Sequence, residues 1–202
     1  MTVFPVIPGE TPIDPSGLRD RTIRTRGRLN IVEAENIRKA TVKYLAKRPT
    51  KRQAKFDYAW GLKLHREMFG DVWEWAGKLR TVELTIGIPP EHVETSLYAL
   101  FQDLPIWAQS GVPLLDQAVR LHHQAVRVHP FHNGNGRWAR LMANIWLRLN
   151  KHAITLWPEE NIGRRNPVRD EYIAAIQAAD NGNDGPLLEL HRRYTANAGN
   201  VK

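Results

Sequence analysis

Apolar positions recur at helical spacing along most of the chain. From Leu29 onward Ile31, Ala34, Ile37, Val42 and Leu45 fall roughly on one stripe, which predicts a helix over 29–47 that Pro49 ends. A second helix is predicted over about 51–69, with Phe56, Ala59, Trp60, Leu64 and Met68 turned inward and Gly70 closing it. The pattern then shifts towards alternation. Leu79, Val82 and Leu84, with the β-branched Thr81 and Thr85, predict a short strand or hairpin over about 79–88, closed by Gly87 and Pro89-Pro90.

Helical spacing returns after Pro90, a residue suited to a first helical turn, and runs to about 108. Gly111-Val112-Pro113 breaks it, and further helices are predicted over 114–128, from the loop at 129–136 to about 150, after Asn166-Pro167, and over 186–194. Residues 1–28 show no period and carry Pro5, Pro8, Pro12 and Pro15, as expected of an extended arm. No internal repeat is present. The predicted fold is an all-α bundle over 29–198 with one small β-hairpin.

Composition excludes several classes. The 202 residues suffice for one well-filled core. No apolar run approaches the ~18 residues of a membrane span, and the first residues lack the basic and apolar regions of a secretory signal. A cytoplasmic location with no membrane partner is expected. The absence of cysteine excludes disulfides, thiolate metal sites and a cysteine nucleophile. A net charge of +8 favours nucleotides, nucleic acid or acidic protein surfaces. The basic clusters at 19–28 and 47–55 read most simply as solvated surface. With no zinc-finger, basic-zipper or RNP pattern, nucleic acid is the weaker expectation.

The densest chemistry lies in His129-Pro130-Phe131-His132-Asn133-Gly134-Asn135-Gly136-Arg137-Trp138-Ala139-Arg140. A Gly-rich loop opening onto a helix N-terminus offers unpaired N–H groups and a favourable dipole to an anion. Gly134 and Gly136 allow close approach of the backbone, and the Asn135 amide could donate to a phosphate oxygen. Arg137 and Arg140, three apart on the following helix, can point to one side and grip phosphate. His129, immediately before the loop, could take a proton from an attacking hydroxyl, or could simply cap its own helix. Phe131 is expected to plug the loop into the core. His122, His123, His129 and His132 match no common zinc spacing.

These residues resemble the Fic/Doc signature, His-x-Phe-x-acidic-Gly-Asn-Gly-Arg followed by a second Arg, matched at His129, Phe131, Gly134, Asn135, Gly136, Arg137 and Arg140. Trp75-Ala76-Gly77-Lys78-Leu79-Arg80-Thr81 is similar to the family's approach to its hairpin flap. The Leu29-Asn30 start and Asn133 look most like the subgroup called mobile mystery protein B. The resemblance implies a protein adenylyltransferase. It would move AMP from ATP to a Ser, Thr or Tyr hydroxyl of a target protein, with His129 as base, Arg137 at the α/β-phosphates and Arg140 at the γ-phosphate.

Three alternatives remain at this point: another nucleotide or phosphate donor, a silenced nucleotide-binding module, and a basic nucleic-acid-binding protein. Asn133 departs from the acidic residue that usually holds Mg²⁺, so Mg²⁺ is expected but in doubt. Glu35-Asn36 is similar to the end of the family's inhibitory helix motif, although Ile31 stands at its Ser/Thr position. Glu35 is therefore the candidate inhibitory residue, with Glu33 as rival, expected to pair with Arg140. Two solvated glutamates are the simpler alternative.

Overall fold

The computed structural model describes residues 13–159 and 166–195. Among them are seven α-helices: α1 Arg26–Leu45, α2 Tyr58–Phe69, α3 Pro90–Gln109, α4 Leu114–Val128, α5 Asn135–Leu149, α6 Pro167–Asp180 and α7 Gly185–Arg193. The pair α4 and α5 is central. Helix α3 packs on α4, α1 and α2 pack together and on α5, and α6 and α7 pack on each other and on α4.

Local chemistry sets the helix starts. The Thr25 hydroxyl accepts from Arg28 N–H and opens α1, and Asp57 accepts from Trp60 N–H at 2.7 Å and opens α2. The second helix therefore begins seven residues later than periodicity predicts. Helix α1 buries Leu29, Glu33, Asn36, Ala40 and Tyr44, not the predicted stripe; Ile31 is 62% and Val42 50% exposed. The buried face contains two polar residues, each with partners, so hydrophobicity alone selects the wrong side. Asn36 donates to Glu67 O and accepts from Asp71 N–H.

The predicted hairpin is absent. Among the described residues there are no strands, only single bridges between Leu18 and Trp73 and between Thr155 and Thr195. The carbonyls of Val82 and Ile88 are taken by the Arg80 guanidinium, and Pro89 and Pro90 have no N–H to donate. A side chain, rather than a facing strand, organises this segment.

The described part of the N-terminal stretch lies against the domain. Arg19 N–H donates to Val72 O, Glu74 N–H donates to Gly17 O, and Leu18 and Ile23 are buried. Residues 1–12 of the predicted arm lie outside the described residues, as do 196–198. The main core runs through α1 to α5. A smaller cluster, with Val119, Trp157, Tyr172 and Leu187, joins α4 to α6 and α7.

Candidate active site

Helix α4 ends in a left-handed turn at His129, with φ 50° and ψ 60°. A non-glycine residue costs free energy there, so neighbouring contacts must hold it. The buried Arg80 does this. Its Nε donates to His129 O at 2.7 Å, Nη1 to Val82 O at 2.9 Å and Nη2 to Ile88 O, while its backbone N–H donates to Pro130 O at 2.9 Å. One guanidinium thus ties the end of α4 to both ends of the segment that passes over it. The His129 Nδ1 donates to Val126 O at 3.3 Å, leaving Nε2 with a lone pair. Burial pushes the His129 pKa down to about 4, so the ring is neutral near pH 7 and can accept a proton.

Gly87, at φ +111°, packs against the Cβ of His129. A Cβ there would stand 2.6 Å from His129 Cβ and 2.8 Å from Arg80 Nη2. We expect Gly87→Ala to destabilise the protein by about 1–3 kcal/mol. Urea unfolding measures this, and an unchanged midpoint would show that the segment does not press on His129.

The loop after His129 is clamped from within. The Asn135 side chain both accepts from Phe131 N–H at 2.9 Å and donates to Phe131 O at 2.8 Å. One N–H of the amide expected to meet phosphate is therefore committed to the loop. Phe131 is fully buried and stacks on His65 with ring centroids 3.6 Å apart. His65 donates from Nε2 to Asn133 O at 3.0 Å and accepts Gly77 N–H at Nδ1. Burial lowers its pKa to about 3, which keeps this one tautomer neutral. Gly134 has φ +80°, and a Cβ on it would meet the Phe69 ring at 2.5 Å; both features require glycine.

Helix α5 then starts with no side-chain cap. Its first backbone bond runs from Trp138 N–H to Gly134 O, so the N–H groups of Asn135, Gly136 and Arg137 face out of the helix end. Two guanidiniums stand beside it, and carboxylates hold both. Glu33 accepts from Arg137 Nη1 at 2.8 Å and, with its other oxygen, from Trp73 Nε1 at 2.6 Å. Glu159 accepts from Arg140 Nε at 2.8 Å and from Nη2. The arrangement is a pre-set group of donors for a polyanion, next to a neutral imidazole.

The family model described as Fic/DOC family matches residues 55–147, the stretch that carries α2 to α5 and this loop. The chain carries a Fic/DOC family domain. It is 31% identical over 141 residues to protein adenylyltransferase fic-1 of Caenorhabditis briggsae, covering 67% of this chain and 25% of that protein. The C. elegans protein of the same name is 30% identical over the same length. The chain thus spans about a quarter of these curated relatives. Among solved structures, Fic-1 from C. elegans superposes with a TM-score of 0.68 at 24% identity, over 80% of this chain and 47% of that one. BepC from Bartonella tribocorum, solved with bound AMPPNP, gives 0.66 at 19% identity over 95% of each chain.

Within the Fic domain the structure brings His129, Gly134, Asn135, Gly136, Arg137 and Arg140 to one loop and helix end. It separates the two glutamates. Glu33 faces the loop, whereas Glu35 lies on the exposed side of α1 and pairs with Arg38 at 2.8 Å. The expected contact between Glu35 and Arg140 does not form, because residues two apart on a helix point to nearly opposite sides. Glu33 meets Arg137, and Arg140 is held by Glu159, which sequence reasoning did not single out.

Asn133 does not fit a protein-held magnesium ion. Its carbonyl accepts from His65, its side-chain oxygen accepts Gly134 N–H at 2.6 Å, and the loop has no carboxylate. No group of three or more potential metal-binding side chains occurs among the described residues.

Proposed function

We propose that this Fic domain is a protein adenylyltransferase that transfers AMP from ATP to a hydroxyl of a target protein and is restrained by Glu33. The single observation that carries this reading is the buried neutral His129 beside the open N-terminus of α5. His129 Nε2 takes the proton of a Ser, Thr or Tyr hydroxyl. The freed oxygen attacks the α-phosphorus, a new P–O bond forms, the bond to the bridging oxygen breaks, and pyrophosphate leaves. The N–H groups of Gly136 and Arg137 and the Arg137 guanidinium take up the charge that develops on the phosphate. Support comes also from the adenylyltransferases among the relatives and from the nucleotide analogue in the BepC structure.

The restraint is electrostatic. Glu33 neutralises the cation that would meet the α/β-phosphates, and its charge repels them. Glu33→Gln keeps an oxygen for Trp73 Nε1 but removes the charge. We expect it to tighten ATP binding by about tenfold or more, while Glu35→Gly changes nothing. Calorimetric titration of both variants decides this; equal affinities for wild type and Glu33→Gln would remove Glu33 from the mechanism.

The test of the activity uses ATP labelled on the α-phosphate, with and without cell lysate, and compares wild type, Glu33→Gln and Glu33→Gln/His129→Ala. Label on protein that is lost with His129→Ala is the expected result. Bound ATP with no transfer would favour a second reading, a nucleotide-binding module without chemistry. Asn133 in place of an acidic residue, together with carboxylates on both arginines, is what favours that reading.

A further inference from the structure

The smaller core cluster contains a buried chain of polar side chains that the transfer step leaves unused. Thr155 Oγ1 lies 2.9 Å from His191 Nδ1, His191 Nε2 lies 3.0 Å from His122 Nδ1, and His122 Nε2 lies 3.0 Å from the Tyr172 hydroxyl. Both imidazoles are fully buried. Burial brings His191 to about 3 and holds His122 well below its ordinary value. Each ring is therefore neutral and carries one N–H.

Only two proton orders satisfy the three contacts. In one, every donor points towards Tyr172: the Thr155 hydroxyl donates to His191 Nδ1, His191 Nε2–H donates to His122, and His122 Nε2–H donates to the Tyr172 oxygen. In the other, every donor points back, and Thr155 accepts from His191. Its own hydrogen then finds no acceptor among the described residues, at a side chain that is 1% exposed. An orphaned buried donor costs free energy that the first order avoids. The first order leaves the Tyr172 hydrogen pointing away from His122.

The Tyr172 oxygen also interacts with the Arg140 guanidinium, and the hydroxyl lies beside the N-terminus of α5. It stands 3.8 Å from the point a Cβ on Gly136 would occupy, and Arg140 Nη1 stands 3.3 Å from the same point. The Arg140 guanidinium lies over the Tyr172 ring, 5.3 Å from its centroid. Glu159 takes Nε and Nη2 of that guanidinium, so Nη1 and the tyrosine hydroxyl converge above Gly136. We propose that Tyr172 is a phosphate-binding residue of this site, its hydroxyl donating to a nucleotide phosphate oxygen beside Arg140 and held in that direction by the Thr155–His191–His122 chain. The inference rests on the phosphate reading of the α5 N-terminus.

Tyr172→Phe removes the hydroxyl and keeps the ring under Arg140. The full chain, wild type and variant, is titrated with ATP and with adenosine, beside Arg137→Gln as a probe of the phosphate site itself. ATP binding weakened about tenfold with adenosine binding unchanged is the expected result. Equal weakening of both ligands would make Tyr172 a packing residue and overturn the proposal. If ATP binding is unchanged in Tyr172→Phe but weakened in Arg137→Gln, the proposal fails and the phosphate reading stands; if neither weakens it, both fail. Nitrogen-15 NMR of the wild-type imidazoles gives a test that needs no variant. Nε2–H tautomers on both His122 and His191 are expected, and an Nδ1–H tautomer on either ring would reverse the chain and overturn the proposal.

Discussion

Replacing His129 by alanine in the Glu33→Gln background is expected to slow AMP transfer by about 10²–10⁴-fold, the range that a positioned general base supplies, and to leave ATP affinity nearly unchanged. The ring has no hydrogen bond to either arginine of the helix or to the outward N–H groups of α5; its Nδ1 meets Val126 O, and Arg80 holds only the residue's backbone carbonyl. Removing it leaves the phosphate donors where they are. The pH profile gives an independent check. The base acts in its unprotonated form, which is present above the folded pKa and lost as pH falls through about 4. The rate should therefore stay flat as pH is lowered from about 8 to about 6.5, where a ring with the ordinary histidine value of 6.5 would already have lost about half of it. A step there would mean that the ring is solvated in the working enzyme, and wild-type rates in His129→Ala would remove it from the chemistry.

The loop was legible in the sequence because its chemistry is compressed into twelve consecutive residues, His129 to Arg140. Turn glycines, a helix start and two guanidiniums at fixed spacing leave few geometries open, and helices α3 to α7 were visible in the periodicity within a few residues. What could not be read are the partners that sequence places far away. Arg80 looks like one more basic residue in an alternating segment, yet it is buried and holds His129 O, 49 residues on. His65 falls in an ordinary helical stretch and clamps Asn133, 68 residues on. Which of Glu33 and Glu35 faces the loop was hard to read for a more general reason. A motif template favours Glu35, but the buried stripe Leu29, Glu33, Asn36, Ala40, Tyr44 follows helical steps of four, three, four and four. Glu33 belongs to that stripe. Ranking positions by hydrophobicity hides a buried face whose polar members are satisfied by hydrogen bonds. The hairpin failed similarly, since alternation in 79–85 suits a strand only while its carbonyls are free, and Arg80 takes that of Val82 and, just beyond, that of Ile88.

Acid should unfold this protein steeply, and the cause is the same set of buried rings. His65, His122, His129 and His191 are all neutral in the fold. Burial holds His65 and His191 at about 3 and His129 at about 4, and His122 lies well below its ordinary value. In the unfolded chain each returns to an ordinary value of 6.5. Below that pH the unfolded state binds up to four protons that the folded state refuses. By linkage, the contribution of these rings is constant above pH 6.5 and declines as pH falls towards the folded values near 4. One proton is worth about 1.4 kcal/mol per pH unit, so four rings together approach roughly 5 kcal/mol per pH unit. That is comparable to the whole stability of a typical domain, about 5–15 kcal/mol. Denaturant unfolding at a series of pH values should give a nearly flat stability from about pH 8 to about 7, then a slope nearing four protons by about pH 5. His65→Gln, which retains a donor for Asn133 O, should lower that slope by about one proton. A wild-type slope near one proton would show that three of these imidazoles are protonated inside the fold. At least one of the neutral tautomers assigned to His65 at the loop and to His129 as base would then be wrong.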